Sequence, residues 1–99
     1  RLPVDFDAHT AARDGEPVEL TAHEVRLLRH LLAHEGRLQS RERILAEVWG
    51  ADYFGTARTV DNFINRLRAK IEEDPQRPRL LVTVRGAGYR LSRAAVTEP

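Results

Sequence analysis

The fold of this chain is decided by RTVDNFINRLRAKIE, residues 58–72. Four apolar residues in this stretch recur with the period of an α-helix and form one stripe: Val60, Ile64, Leu67 and Ile71. At about 100° per residue, the side chains that project away from the stripe are Arg58, Asn62, Asn65 and Arg66, with Arg68 on one flank. The pattern predicts a helix that buries its aliphatic side and presents amide and guanidinium groups on the other.

The polar side of this helix has the chemistry of a nucleic-acid reader. Arginine pairs bidentately with guanine edges or phosphates, asparagine pairs with adenine edges, and the major groove of DNA admits one helix. A helix side that is simply solvated shows the same pattern. The helix therefore indicates either a DNA-binding surface or an ordinary exposed face.

The positive charge of the chain is concentrated in its second half. Residues 1–57 carry seven Arg against ten acidic residues, a net charge of −3. Residues 58–93 carry nine Arg or Lys against four acidic residues, a net charge of +5. Binding to a polyanion needs a local basic surface of this kind, although any small domain can be lopsided by a few charges.

Length and composition limit the possible classes of protein. The 99 residues suffice for one domain, expected over residues 1–93, and residues 94–99 show no pattern and are expected to form a flexible tail. The absence of cysteine excludes disulfide scaffolds, Cys-based zinc sites and thiol catalysis. We expect no metal, no cofactor and no enzymatic activity, because no nucleophile with a base is evident. Without a membrane-span or signal-peptide pattern, a cytoplasmic domain is expected.

Short strands are predicted before the first helix. Residues 3–20 alternate weakly, and Asp14-Gly15 is a hairpin signal because both residues tolerate the positive φ of a type I′ turn. Asp5 and Asp7 share a strand face, where solvated carboxylates are a better interpretation than an acid and base pair. We therefore expect a small antiparallel sheet without a catalytic role.

Two helices are expected after this sheet. Thr21 and Glu24 form a capping box that opens a leucine-rich helix over about residues 22–35. Ser40 caps a second helix over about residues 41–49. The first helix carries three histidines on one side, which we interpret as exposed residues and not as metal ligands, because no HExxH signature accompanies them: His23, His30 and His34.

A loop and a hairpin flank the helix that decides the fold. The loop over residues 50–57 is long for a connection between packed helices, so it is either more than a connector or pinned to the core by its aromatics. Residues 80–91 form two β-branched strands around a glycine-rich turn. The tip of this hairpin carries Arg85.

Three helices followed by a hairpin, with an N-terminal antiparallel sheet and a basic third helix, describe an α+β winged helix-turn-helix. The motifs also resemble the C-terminal DNA-binding effector domain of OmpR/PhoB-type bacterial response regulators across residues 3–92. The resemblance rests on Leu20-Thr21-x-x-Glu24, Ser40-Arg41-Glu42, Val48-Trp49-Gly50, Arg58-Thr59-Val60-Asp61, Arg66-Leu67-Arg68 and Thr83-Val84-Arg85-Gly86-x-Gly88-Tyr89-Arg90-Leu91. Each motif alone is weak evidence, but their order and spacing together are highly specific.

The resemblance implies where DNA would bind. In the family the third helix enters the major groove, and the Arg of the hairpin, called the wing, reaches the neighbouring minor groove. Carried over position by position, the DNA-facing residues would be Arg58, Asn62, Phe63, Asn65, Arg66, Arg68, Thr83 and Arg85. Asn65 and Arg66 would read base edges. Arg58 and Arg68 would hold phosphates, while the two wing residues would contact the backbone and the minor groove.

The resemblance also implies partners. The family segment that matches the loop contacts RNA polymerase, which would assign this role to Gly50, Ala51, Asp52, Tyr53, Phe54 and Gly55. A receiver domain is expected N-terminal to this chain. Its phosphorylation would promote dimerisation of two effector domains on direct-repeat DNA sites about one helical turn apart, whereas the isolated domain would be a monomer.

Two positions depart from the family pattern. Many relatives have His where Phe63 stands and Arg where Asn65 stands, so the base preference cannot be copied from them. Phe63 lies beside the apolar stripe and either extends the core or packs at the groove edge against a thymine methyl group. Because fold alone does not determine function, a protein-interaction module without direct DNA readout remains the alternative.

Overall fold

The computed structural model describes residues 2–50 and 55–98. Its elements follow in the order β1 (Leu2–Asp5), β2 (Thr10–Arg13), β3 (Glu16–Glu19), α1 (Ala22–Ala33), α2 (Arg41–Ile44), α3 (Ala57–Ile71), β4 (Leu81–Val84), β5 (Gly88–Leu91) and β6 (Val96–Thr97). The second helix continues past α2 as a π-helical turn, Leu45–Trp49. This order confirms the predicted winged helix-turn-helix, with three helices between a sheet and a hairpin wing formed by β4 and β5.

The first hairpin forms where the sequence predicts it. Strands β2 and β3 pair antiparallel with Arg13 opposite Glu16, which leaves a loop of two residues, Asp14 and Gly15. Their φ angles are 52° and 81°. Both values are positive, as a type I′ turn requires.

The C-terminal segment corrects the expectation of a flexible tail over residues 94–99. Val96–Thr97 forms β6, which pairs parallel with β1 and extends the sheet to the order β3-β2-β1-β6. The amide of Leu2 donates to the carbonyl of Ala95 at 2.8 Å. Ala95 is buried. A strand of two residues has no period to read in a sequence, and it is stabilised here by the available edge of β1.

The core lies between the helices and is closed by the wing. Every residue of the apolar stripe of α3 is buried, as the period predicted. The stripe meets the inner leucines of α1, of which Leu27 and Leu28 are fully buried, and the first residues of the wing, of which Leu81 is fully buried. No helix in the described part of the chain is long and apolar enough to cross a membrane.

The capping box of α1 is present in full. The Glu24 amide donates to Thr21 Oγ1 at 3.2 Å, and the Thr21 amide donates to Glu24 Oε1 at 2.8 Å. The helix ends within three residues of Gly36, whose φ is +77°. The capping contacts satisfy two backbone amides at the start of α1.

A backbone bridge joins the wing to the loop before α2. The Gln39 amide donates to the Tyr89 carbonyl at 2.8 Å, and the Tyr89 amide donates to the Gln39 carbonyl at 3.0 Å. Gly88 lies against this bridge, because a Cβ built on it would approach the Gln39 carbonyl oxygen to 2.1 Å. The close approach requires a residue without a side chain at position 88.

Candidate nucleic-acid interface

The outer face of α3 presents four polar side chains to solvent. The exposed residues are Arg58, Asn62, Asn65 and Arg66. They lie on the side of the helix opposite the buried stripe, which is the orientation the sequence predicted. Two guanidinium groups and two amides are thus available on one helical surface, and both kinds of group can pair with base edges.

Arg68 is a correction to the expected phosphate-binding set. Only 8% of the residue is exposed, and its guanidinium lies beneath the wing. Nε and Nη2 donate to the Leu81 carbonyl oxygen at 3.0 and 2.8 Å, and Nη2 also donates to Thr83 Oγ1 at 2.7 Å. Burial lowers the pKa of Arg68 from its usual value, while Tyr89 and Glu72 act in the opposite direction.

The position of Arg68 in the helix explains this correction. Arg68 follows the buried Leu67 and lies four residues after the buried Ile64, so its Cα is beside the apolar stripe. A long aliphatic stem can carry the charged group along an apolar surface to distant acceptors. Once the hairpin packs on α3, the nearest acceptors for this group belong to β4.

Phe63 belongs mainly to the core. Its ring makes an edge-on contact with Trp49, with centroids 5.1 Å apart, and lies 5.8 Å from the ring of His23. The guanidinium carbon of Arg66 stands 5.1 Å from the centre of the same ring. Of the two roles left open by the sequence, the geometry favours the extension of the core. The ring also gives Arg66 a surface to rest on.

The wing presents two of the predicted residues. Arg85 is exposed in the turn between β4 and β5, followed by Gly86 with a φ of +76°. Thr83 is exposed on β4, and its hydroxyl oxygen accepts the hydrogen bond from Arg68. The wing therefore presents one guanidinium at its tip and one hydroxyl on β4, and β4 is joined to α3 through Arg68.

A cluster that the sequence did not predict ties α2, α3 and the wing together. The guanidinium of Arg41 donates to both carboxylate oxygens of Asp61, at 3.0 and 2.5 Å. The Tyr89 hydroxyl donates to Asp61 Oδ1 at 2.6 Å. Burial, followed by the contact with Asp61, raises the pKa of Tyr89 to about 12. Each residue is ordinary for its element, so only the packing of the three elements brings them together.

The histidines of α1 are less exposed than the sequence suggested. All three are half-buried. His23 stacks on Trp49 with ring centroids 5.6 Å apart, and His30 Nε2 lies 3.1 Å from Gln39 Oε1. Burial lowers the pKa of His30. The described residues contain no group of three or more His, Asp or Glu side chains that could hold a metal ion.

The predicted RNA-polymerase loop lies partly outside the described residues. Ala51, Asp52, Tyr53 and Phe54 belong to the part of the chain that the structure does not describe. Gly50 and Gly55 flank this segment, and Gly50 has a φ of +103°. The assignment of this loop stays a prediction.

The chain matches known proteins over most of its length. Residues 15–91 match the family described as "Transcriptional regulatory protein, C terminal". The sensory transduction protein RegX3 of Mycolicibacterium smegmatis is 47% identical over 88 residues, which cover 89% of this chain and 39% of the relative. This chain thus spans about two fifths of the length of that curated relative.

Solved structures of DNA-binding domains have the same fold. The DNA-binding domain of Bacillus subtilis CssR is 40% identical with a TM-score of 0.79, and the match covers 92% of this chain and 99% of that chain. The Klebsiella pneumoniae RstA DNA-binding domain was solved in complex with the RstA box. It is 32% identical with a TM-score of 0.72, over 84% of this chain and 82% of that chain.

Proposed function

Because the chain belongs to the family of C-terminal domains of transcriptional regulatory proteins, we propose that it binds double-stranded DNA in a sequence-specific manner. The chain is the output domain of a bacterial response regulator of the OmpR/PhoB type, and its binding controls transcription. The family is a DNA-binding class and not an enzyme class. We propose accordingly that the chain catalyses no reaction.

One observation carries the proposal. The helix that packs its aliphatic stripe into the core exposes two arginines and two asparagines on its outer face, where the only exposed apolar side chain among the described residues of α3 is the small Ala69. The same chain carries an arginine at the tip of its hairpin. In this proposal α3 lies in the major groove, where Asn65 and Arg66 contact base edges. Arg58 and Asn62 contact phosphates or the rim of the groove, and Phe63 supports Arg66.

The wing extends the proposed contact to the next groove. Arg85 enters the minor groove, where narrow stretches of A·T pairs have a strongly negative potential. Thr83 lies on β4, two residues before Arg85, and donates to the sugar-phosphate backbone. Contacts to two adjacent grooves would set the register of the domain on the duplex.

The partners of the longer protein belong to the same proposal. A receiver domain precedes this chain, and its phosphorylation promotes side-by-side docking of two output domains on direct-repeat sites. The loop of residues 50–55 contacts RNA polymerase. The protein acts in the cytoplasm, where the DNA and the polymerase are. The isolated domain binds DNA weakly as a monomer, because it lacks the gain in effective concentration that dimerisation supplies.

The salt dependence of duplex binding tests the proposed function. Phosphate neutralisation by Arg side chains releases counterions, so the logarithm of the binding constant should fall steeply and linearly with the logarithm of salt concentration. Fluorescence anisotropy on a duplex selected from a random pool measures this slope. A chain that serves only as a protein-interaction module would bind no duplex, and that outcome would reject the proposal.

Two arginines should affect specificity differently. Arg66→Ala should weaken binding to the selected duplex by about 1 to 3 kcal/mol and relax sequence preference, because a base contact is lost. Arg85→Ala should weaken selected and mixed duplexes by similar factors. Arg77→Ala is the charge-matched control, since Arg77 lines a hollow between the sheet and the end of α3. Retention of affinity and footprint by both test variants would remove α3 and the wing as the docking surface.

A further inference from the structure

Arg68 is a buried cation without a directly paired carboxylate among the described residues, although the charge of Glu72 favours its protonated form from a distance. Among residues 2–50 and 55–98, the ion pairs are those of Arg41 with Asp61 and of Lys70 with Glu24. The guanidinium of Arg68 donates only to neutral oxygens, namely one carbonyl and one hydroxyl of β4. Burying a charge that is hydrogen-bonded only to neutral groups is costly, so we asked what this guanidinium does for the groups that it contacts.

The hydrogen bond to Thr83 determines which way the hydroxyl of that residue can donate. A Thr hydroxyl has one hydrogen and two acceptor lone pairs. Nη2 of Arg68 occupies a lone pair on the inner side, at 2.7 Å. The hydroxyl hydrogen must then point away from Arg68, and it finds no acceptor among the described residues. Because Thr83 is exposed, that direction is open to solvent.

Charge strengthens this donor as well as orienting it. A cationic N–H that donates to a hydroxyl oxygen polarises the O–H bond, so the hydroxyl becomes a better donor to its own acceptor. The acceptor best suited to such a donor beside a cationic surface is an anionic oxygen. On the proposed DNA-binding face, that oxygen is a phosphate of the duplex backbone.

We propose that Arg68 is a positioning residue that acts on DNA through Thr83. It fixes β4 to α3 by its two contacts with the Leu81 carbonyl, and it directs the Thr83 hydroxyl toward a backbone phosphate. Arg68 itself does not touch the DNA. This inference rests on the proposed function, because it assigns the means by which the wing holds the duplex.

The shape of the guanidinium explains why Arg is needed at this position. Its fixed fork reaches the Leu81 carbonyl with two N–H groups and Thr83 with the third, while its plane lies near the Tyr89 ring, 5.5 Å from the ring centre. A lysine ammonium keeps the charge but cannot reproduce this fork. An arginine that merely contacts phosphate as a point charge would tolerate lysine well.

The test compares conservative variants of both residues on a fluorescent duplex of mixed sequence, about 30 base pairs long, which suffices because phosphate contacts carry no sequence information. Thr83→Val removes the hydroxyl from an exposed site and should lower affinity about tenfold, whereas Thr83→Ser should retain most of the affinity. Arg68→Lys should lower affinity by a similar factor. The double variant Arg68→Lys/Thr83→Val should be no weaker than either single variant, because both changes remove one interaction.

The salt slope separates positioning from direct contact. Arg68→Gln should leave the slope unchanged, since a hydroxyl donor releases no counterion, whereas the loss of a direct phosphate contact would reduce the slope by about one. Thermal unfolding of each variant sets a temperature at which all are folded. Additive losses in the double variant, full affinity of Arg68→Lys or Thr83→Val, or a reduced slope would overturn the inference. Failure of the wild-type chain to bind any duplex would instead reject the proposed function.

Discussion

At the scale of single residues, two buried acids join elements of this small domain. Glu24 and Glu72 are each 2% exposed, and the carboxylate of each accepts hydrogen bonds from other residues. Glu24 serves the start of α1 and receives Lys70 from α3 at 2.6 Å. Glu72 accepts from three consecutive amides before and within β4. Through these hydrogen bonds, Glu24 joins α1 to α3, and Glu72 joins the end of α3 to β4.

Glu24 should make stability depend on pH in the acidic range. Burial raises its pKa, but the hydrogen bond from Lys70 and the capping contacts with Thr21 outweigh burial, so the pKa is lowered below 4.5. A lowered carboxyl pKa contributes stability that is complete above the unfolded value and is lost as pH falls through the folded value. Urea unfolding at several pH values should show this loss in the wild-type chain.

Substitution isolates the contribution of Glu24. Glu24→Gln should cost about 1 to 3 kcal/mol at neutral pH and should flatten the acidic part of the stability curve. Glu16→Gln, on an exposed strand position, is the matched control. An unchanged acidic slope in Glu24→Gln would contradict the assigned role.

Removal of the charge of Glu72 should destabilise the chain more than removal of the charge of Glu73. The two carboxylate oxygens of Glu72 accept from the amides of Arg79, Leu80 and Leu81 at distances of 2.7 to 3.1 Å. Glu72→Gln sets an amide NH₂ against these donors and should destabilise the chain by about 2 to 4 kcal/mol. Glu73→Gln changes an exposed residue of the same charge and should be nearly neutral. Equal urea midpoints for the two variants would refute the prediction.

At the scale of elements, the orientation of the wing depends on three attachments. The backbone bridge between Gln39 and Tyr89 holds β5, and Arg68 holds β4. Asp61 joins Tyr89 of β5 to Arg41 of α2. These attachments hold both strands of the wing to the helical part of the domain. A flexible hairpin would lose entropy each time it bound DNA, and a fixed one avoids that cost.

The two wing glycines should differ sharply when a methyl group is added. Both have positive φ, +76° at Gly86 and +149° at Gly88, so alanine is strained at either position. The added Cβ meets nothing within 4 Å at Gly86 but overlaps the Gln39 carbonyl at Gly88. Gly88→Ala should therefore cost about 3 kcal/mol and Gly86→Ala about 1 kcal/mol by thermal unfolding. Similar costs for the two variants would show that the bridge is not rigid.

At the scale of the whole molecule, the two ends of the described chain meet in one sheet. Strand β1 lies between β2 and β6, so the end of the chain covers an edge that the N-terminal strand would otherwise expose. Leu2 and Ala95 are buried at this junction. The two-residue strand β6 thereby replaces β1 as the edge of the sheet on the side away from β3, while Arg58, Asn62, Asn65 and Arg66 of α3 remain exposed.

Shortening the chain tests the contribution of this junction. A stop codon after Arg93 removes β6 and should lower the free energy of unfolding by about 1 to 3 kcal/mol, because it exposes apolar surface and an unpaired strand edge. Duplex affinity at a temperature where the chain is folded should not change, since β6 belongs to the N-terminal sheet and pairs with β1. A shortened chain with wild-type stability would show that residues 94–99 do form a loose tail.

The sequence by itself determined the elements whose signals are local. The apolar period of α3, the capping box at Thr21, the two-residue turn at Asp14 and the glycine-rich wing all depend on neighbours within a few positions, and all are present in the structure. The outward direction of Arg58, Asn62, Asn65 and Arg66 follows from the same period.

Only the tertiary structure decided which groups meet across elements. It placed Arg68 under the wing, joined Asp61 to Arg41 and Tyr89, and drew residues 95–97 into the sheet. The physical reason is that a long side chain or a two-residue strand is stabilised by whichever partner the packing brings near. That partner cannot be predicted from the residues adjacent to it in the sequence. Helical periodicity predicts which residues of α3 face the core and which face solvent. For a residue on the flank, such as Arg68, the packing of the hairpin determines whether the side chain is buried or exposed.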